Sequence, residues 1–346
     1  MRAKKRVTHL DVAKRAGVST AVVSYVINDG PRPTSPEVRE RVIRAIRELD
    51  YHPNAVARGL RARRTNTIGF VVDDYNSLDV FVSPYSARIL TGLTSQLKAR
   101  GYYLLLYPMD IGEDMNDIEL LLRSGRLDGI VVRLVQDPPD TDALLEVIAR
   151  THVPCICIER PGAPRFGFSA VTYDDKRGAY AATSYLIAQG HRRIGHICGD
   201  RRYSTARGRL EGYRRALADH GIAADDTLVY GDDWAPEVAR AGVARLLELE
   251  SPPTAIFVAS DNLAINTIEE LRRRGRHVPD DMAVIGFDDI EMASELVPPL
   301  TTVRIPLLEI GQRAADLLLD IVQAEHDDIA GRLEVLPVEL VRRGSA

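Results

Sequence analysis

From Thr67 onward the chain alternates short, almost unbroken apolar runs with stretches of helical periodicity, and this alternation constrains its fold more than any other feature. The runs IGFVV, YYLLLY, GIVV and PCICI are separated by segments such as ARILTGLTSQLKARG, and the pattern resumes with RRIGHIC, TAIFVA and MAVIGF. A strand with one wet face alternates apolar and polar residues. A strand that is apolar throughout is covered on both faces, which is the condition of a parallel sheet flanked by helices. Residues 67–346 have room for two such units, so the expected body is α/β, built of two Rossmann-like lobes.

The residues before this body differ in charge. Residues 1–64 hold 15 Lys+Arg against 6 Asp+Glu, whereas the rest of the chain holds 30 against 43. The whole-chain net charge of −4 conceals a basic head on an acidic body. A basic head of this kind suits contact with a polyanion.

Within the head, THLDVAKRAGVS places Val12, Ala13 and Ala16 on one helical stripe and ends it at Gly17, a residue free to turn left-handed. Ser19 is placed to cap a second helix, GVSTAVVSYVI, whose Val22, Val23, Val26 and Ile27 form the expected buried stripe. Its other face carries Thr20, Ala21, Ser24 and Tyr25, small and nearly uncharged where a solvated face would carry Lys and Glu. A third helix, SPEVRERVIRAIRELDY, starts at Ser35 and offers Val38, Val42, Ile43, Ile46 and Leu49 to a common core. This order is that of a DNA-reading helix-turn-helix. Thr20, Ala21 and Tyr25 are expected to reach base edges, and Thr8, Ser19, Ser24 and Asn28 to hold phosphates. In YHPNAVARGLRARRTNTIGF, Pro53 breaks the third helix and Asn54 can cap a short new one. Ala57 and Leu60 lie three apart among arginines. Leu60 either packs on the body or wedges into a minor groove with Arg58 on phosphate.

LDVAKRAGVSTAVVSYVIN followed by YHPNAVARGL resembles the lactose- and galactose-repressor (LacI/GalR) family of bacterial transcriptional regulators. So do SYLIAQGHRRIGHICGD, RLEGYRRAL, PTAIFVASDNLAINTIEEL and VPDDMAVIGFDDIEMASELVPPLTTVRIP, which extend the likeness across essentially the whole chain. The resemblance implies an N-terminal three-helix head (1–52), a hinge helix or linker (53–66) and a periplasmic-binding-protein-like body. The body's first lobe would comprise 67–162 and 293–324, and its second 163–292 and 325–346, with crossings near residues 162, 292 and 324. It also implies a homodimer on a near-palindromic double-stranded DNA operator, with the expected DNA set completed by Tyr51, Asn54, Ala57, Arg58 and Leu60. Many members carry a large polar residue or Arg where this chain has Thr20, Ala21 or Tyr25, so base preference does not transfer. Gly59 weakens the hinge helix, which is expected to fold only on the operator.

Ligands of open α/β sheets bind beyond the carboxyl ends of the strands. There the chain places Asp73, Asp74, Arg133 and Glu159, then Arg209, Trp234, Ser260, Asp261 and Asp288. Carboxylates and guanidinium groups suit hydroxyls, and an indole face suits a sugar ring or base. The expected effector is therefore a sugar or sugar-like metabolite, bound by Asp73, Arg133, Glu159, Arg209, Trp234, Ser260 and Asp288. The resemblance supports Arg209, Trp234 and Asp288 as effector contacts and sets Glu159 where relatives often have Asp. Asp261 reads as a helix cap and Asp74 as a solvated loop acid. Phe81 and Tyr85 are candidate pocket walls, and His191 and His196 read as structural.

Other classes fit less well. The chain has no G-x-S-x-G elbow, P-loop or H-E-x-x-H motif, so no enzyme is expected, and no cofactor or metal is called for. Cys155, Cys157 and Cys198 read as buried thiols. The N-terminus lacks the apolar segment of a secretory signal, and no run is long enough to span a bilayer, so the expected setting is the cytoplasm. A periplasmic-type sugar-binding protein without regulatory role is the alternative for the body, and the basic head argues against it. The C-terminal VLPVELVRRGSA carries no heptads, which favours a dimer over a tetramer.

Overall fold

A computed structural model of the chain describes residues 7–28, 34–52, 64–73, 83–109, 115–133, 140–323 and 331–346, with only the backbone of Asn28, Asp73 and Asp140. Contacts divide it into residues 1–65 and residues 66–346.

In the head, α1 (His9–Ala16) opens on a capping box. Asp11 N–H donates to Thr8 Oγ1 at 3.4 Å, and the Asp11 carboxylate accepts from the Thr8 backbone N–H at 2.9 Å. Gly17, at φ 66°, ends the helix in the left-handed region. Ser19 Oγ then accepts from Val22 N–H at 3.4 Å at the start of α2 (Thr20–Asn28), and Ser35 Oγ from Val38 N–H at 3.3 Å before α3 (Pro36–Glu48). Val12, Val23 and Val42 are fully buried between the helices, with Ala13, Ala16, Val26 and Ala45 around them. Each such valine contributes roughly 1.5–3 kcal/mol on burial. Val22 and Ile27, expected in the stripe, are half-buried at its margin.

The body contains two parallel sheets. The first runs in the order β11-β5-β4-β3-β1-β2, with β1 (Thr67–Asp73), β2 (Tyr103–Met109), β3 (Gly129–Arg133), β4 (Cys155–Ile158), β5 (Ser169–Tyr173) and β11 (Leu333–Leu336). Along β1, Ile68, Phe70 and Val72 pack with α4 (Pro84–Ala99) and α12 (Leu307–Gln323), while Val71 packs with α5 (Met115–Arg123) and α6 (Asp140–Thr151). Both faces of the central strands are covered, as their unbroken apolar runs require, but the equally apolar run of β2 is not: at the sheet edge its Tyr103, Leu105 and Leu106 are exposed. Cys155 and Cys157 share the second face, and all three cysteines are buried free thiols.

The second sheet has the order β7-β6-β8-β9, with β6 (Ile194–Ile197), β7 (Val229–Tyr230), β8 (Ala255–Val258) and β9 (Ala283–Ile285). The paired helices α7 (Asp175–Ala188) and α8 (Ser204–Asp219) cover one face. On the other lie α9 (Pro236–Leu247) and α10 (Asp261–Arg273). The short α11 (Glu291–Glu295) precedes β10 (Thr302–Arg304), which pairs antiparallel with β12 (Glu339–Val341). His196 has the structural role expected of it: the ring stacks between Tyr213 and Phe257, and Nδ1 lies 2.9 Å from the Phe257 carbonyl.

The lobe boundaries need correction. Because β5 and β11 hydrogen-bond into the first sheet, the chain leaves the first lobe after Tyr173, not near residue 162. It returns after Arg304, where α12 packs on β3, β4 and β5, not near residue 292. It crosses for the last time after Leu336, not near residue 324.

Candidate functional site

The carboxyl end of the first sheet supplies one half of a continuous polar cluster. Arg133 ends β3, and Glu159 follows β4 on a left-handed backbone at φ 60°. Such a conformation costs a non-glycine residue about 1–3 kcal/mol and persists where the surroundings enforce it. Here Arg133 Nε donates to Glu159 Oε2 at 2.9 Å, and its Nη1 donates to Ser86 Oγ at 3.2 Å. Tyr85, in the first turn of α4, donates its hydroxyl to the other oxygen of Glu159, and the Arg133 guanidinium lies 5.1 Å from the Tyr85 ring centre. The two phenol oxygens of Tyr85 and Tyr173 are 2.9 Å apart.

The second lobe supplies the other half. Arg209, on α8 and 3% exposed, donates from Nη2 to Tyr173 Oη at 3.0 Å and from Nε to Asp175 Oδ1 at 2.8 Å. Its Nη1 donates to the Ala259 carbonyl and reaches Asp288 Oδ1 at 3.5 Å. The guanidinium lies 3.9 Å from the Phe287 ring centre and 6.0 Å from that of Trp234. Burial pushes the Asp175 carboxyl up to about 7, against the pull of Arg209. It also raises Asp288 well above the usual carboxylate range.

Trp234 is half-buried. Its six-membered ring rests on Gly199, where an added Cβ would meet the indole at 2.2–2.4 Å, and its centroid lies 5.9 Å from that of Tyr203 in an edge-on arrangement. Gly199 follows β6, so backbone at a strand's carboxyl end forms the bed for the indole.

Arg133, Glu159, Arg209, Trp234 and Asp288 therefore come together, joined by the candidate wall residue Tyr85. Ser260 does not join them: its hydroxyl accepts from Leu263 N–H at 3.3 Å and caps α10. Asp261 is not the cap, since its buried carboxylate accepts from Ile290 N–H at 2.9 Å and Thr302 Oγ1 at 2.5 Å, which ties the crossing segment down. The side chain of Asp73, together with Asp74 and Phe81, lies outside the described residues. Sequence reasoning missed Ser86, Tyr173 and Asp175. Tyr173 ends β5, the strand that the misplaced boundary at 162 had put in the other lobe.

A cavity of about 680 Å³ lies between α4, α12 and the Asp288–Glu291 turn, lined by Arg88, Arg304 and Leu307 among others. It shares only Asp288 with the polar cluster. Within the cluster, arginines, carboxyls and phenols occupy one another's hydrogen bonds.

In the head, Thr20 and Ala21 are exposed on α2, and Ser24 and Tyr25 are half-buried. Thr8 and Ser19, expected on phosphates, serve as helix caps. Tyr51, expected on DNA, is only 7% exposed and belongs to the head's core, its ring 5.5 Å from that of His9. The Asn28 side chain, Asn54, Ala57, Arg58, Gly59 and Leu60 lie outside the described residues.

Comparison with known proteins agrees with both parts. Residues 8–54 match the family model described as bacterial regulatory proteins of the lacI family, and residues 183–346 match that of a periplasmic binding protein-like domain. The chain is 33% identical over 337 residues to the HTH-type transcriptional repressor PurR of Haemophilus influenzae, covering 96% of this chain and 97% of that one. A solved complex of the transcriptional regulator CelR with cellobiose superimposes with TM-score 0.75 at 35% identity, covering 99% of this chain and 100% of that one. The lac repressor dimer bound to operator and the anti-inducer ONPF does so with TM-score 0.85 at 27% identity, covering 99% of each.

Proposed function

The chain belongs to the lacI family of bacterial regulatory proteins, and on that premise we propose that it is a cytoplasmic repressor whose grip on an operator is set by a sugar-like effector held between the lobes of its body. It acts as a homodimer, presenting the exposed Thr20 and Ala21 of each α2 to successive major grooves of a near-palindromic site.

The observation that carries this reading is the polar cluster running from Arg209 and Asp288 in the second lobe to Glu159 and Arg133 in the first. A ligand whose hydroxyls replaced some of these bonds would touch both lobes at once. It would then favour whichever lobe arrangement it fits better, and only that difference in affinity can alter DNA binding. Trp234 provides an apolar face beside the cluster on which a sugar ring can stack.

The test begins with selection of operator duplexes from a random library by the full chain, followed by competition with sugars, cellobiose first because CelR binds it. The expected result is enrichment of a symmetric site whose affinity changes with one sugar. Enrichment without symmetry, or affinity indifferent to every sugar, would count against the reading.

A further inference from the structure

We propose that the effector is an uncharged sugar, and that phosphorylated analogues are rejected by the surplus carboxyl group of the cluster joining the lobes. This rests on the reading of the cleft as the effector site. The cluster sets two guanidinium groups, Arg133 and Arg209, against three carboxyl groups, Glu159, Asp175 and Asp288. Arg133 already holds Glu159 and Ser86, while Arg209 already holds Asp175, Asp288, Tyr173 and the Ala259 carbonyl. Neither arginine is left as the uncompensated fork that recognises a phosphate.

Of the other usual anion positions at the cleft, the starts of α7 and α10 are already taken by side-chain caps, whereas those of α4 and α8 carry none. Asp174 caps α7 by accepting from Arg177 N–H at 2.9 Å, and Asp175 stands in its first turn. Ser260 caps α10 with Asp261 buried behind it, and Tyr85, in the first turn of α4, is bound to Glu159. A phosphate placed between the arginines would meet a carboxyl group beside each guanidinium. The same surroundings already disfavour negative charge: burial pushes the Asp175 carboxyl up to about 7 and raises that of Asp288.

Neutral hydroxyls face no such penalty. A sugar O–H can donate to Glu159 or Asp288 and accept from Arg209 or a phenol, exchanging each bond for an equivalent one. The Trp234 face then discriminates by ring shape rather than by charge.

The test is calorimetric titration of the full chain with glucose, ribose and cellobiose, each paired with its phosphate monoester. The expected result is binding of one neutral sugar, with its ester weaker by at least about 100-fold, since like charges at a buried contact cost several kcal/mol. At pH 8, where Asp175 is ionised, Asp175→Asn removes the surplus charge and should narrow that ratio by about tenfold. If that variant fails to fold, Glu159→Gln makes the same test. An ester that binds as tightly as its parent sugar overturns the proposal. Silence from every sugar and ester, with DNA binding intact, overturns the saccharide reading beneath it, a distinct failure.

Discussion

Tyr173 Oη lies 3.0 Å from Arg209 Nη2 and 2.9 Å from Tyr85 Oη, so one phenol links the second lobe's α8 to the first lobe's α4. Arg209 can only donate and an ionised Glu159 can only accept, which fixes the direction of every proton between them. Tyr173 accepts from Arg209 and donates to Tyr85, and Tyr85 donates to Glu159.

Tyr173→Phe deletes the central oxygen of this series while keeping the ring. It strands a buried Arg209 N–H, and an unsatisfied buried donor costs about 1–3 kcal/mol. Urea unfolding followed by circular dichroism should show a stability loss in that range. Effector affinity should fall as well, because Tyr85 and Arg209 would no longer be held in common. A variant as stable as the parent would show that the phenol carries no net bond.

Gly199→Ala tests the bed of Trp234. A methyl group would overlap the indole at 2.2–2.4 Å, so the ring must move. Trp234 is the chain's one tryptophan, and its emission should shift to the red on exposure. The expected loss of effector affinity is about two- to tenfold, the order of one aromatic stacking contact. Unshifted emission would mean that the backbone gives way instead of the ring.

The fold was legible where its physics is local. Apolar runs without polar alternation marked the covered central strands, though not the exposed edge strand β2, and Gly17, Ser19 and Ser35 marked helix ends that the structure confirms. The crossings were misjudged because β5 and β11 join the first sheet through pairing between distant segments, which local patterns do not reveal. That error also hid Tyr173 and Asp175. Tyr51 was misread because an aromatic near a basic linker looks the same in sequence whether it faces DNA or closes a small core.

Ala21→Arg addresses the reading face of the head. Ala21 is exposed on α2 and makes no contribution to the buried core of Val12, Val23 and Val42. The variant should therefore keep the head's stability within about 0.5 kcal/mol. A guanidinium at this position can take a bidentate bond to guanine, worth about 1–3 kcal/mol of discrimination. Repeating the operator selection should show guanine gained at one position in each half-site. An unchanged consensus would place Ala21 outside the base-reading surface.

His196 and Asp175 should tilt stability in opposite directions over the same pH range. Burial pushes His196 down to about 4 and Asp175 up to about 7. Unfolded, they return to their ordinary values of about 6.5 and 3.9. Between about pH 4 and 6.5 the unfolded chain therefore holds a proton on His196 that the native state lacks, and this residue's stabilisation rises with pH. Over about pH 4 to 7 the native state holds a proton on Asp175 that the unfolded chain lacks, so its stabilisation falls with pH. Each effect amounts to about 3–4 kcal/mol across its window. Unfolding free energies of the parent minus those of His196→Gln should rise from pH 4 to 6.5, while the difference against Asp175→Asn should fall from pH 4 to 7. Differences of the same sign would mean that one of these groups is not held in its uncharged form, and the carboxyl–arginine cluster would need a different charge count.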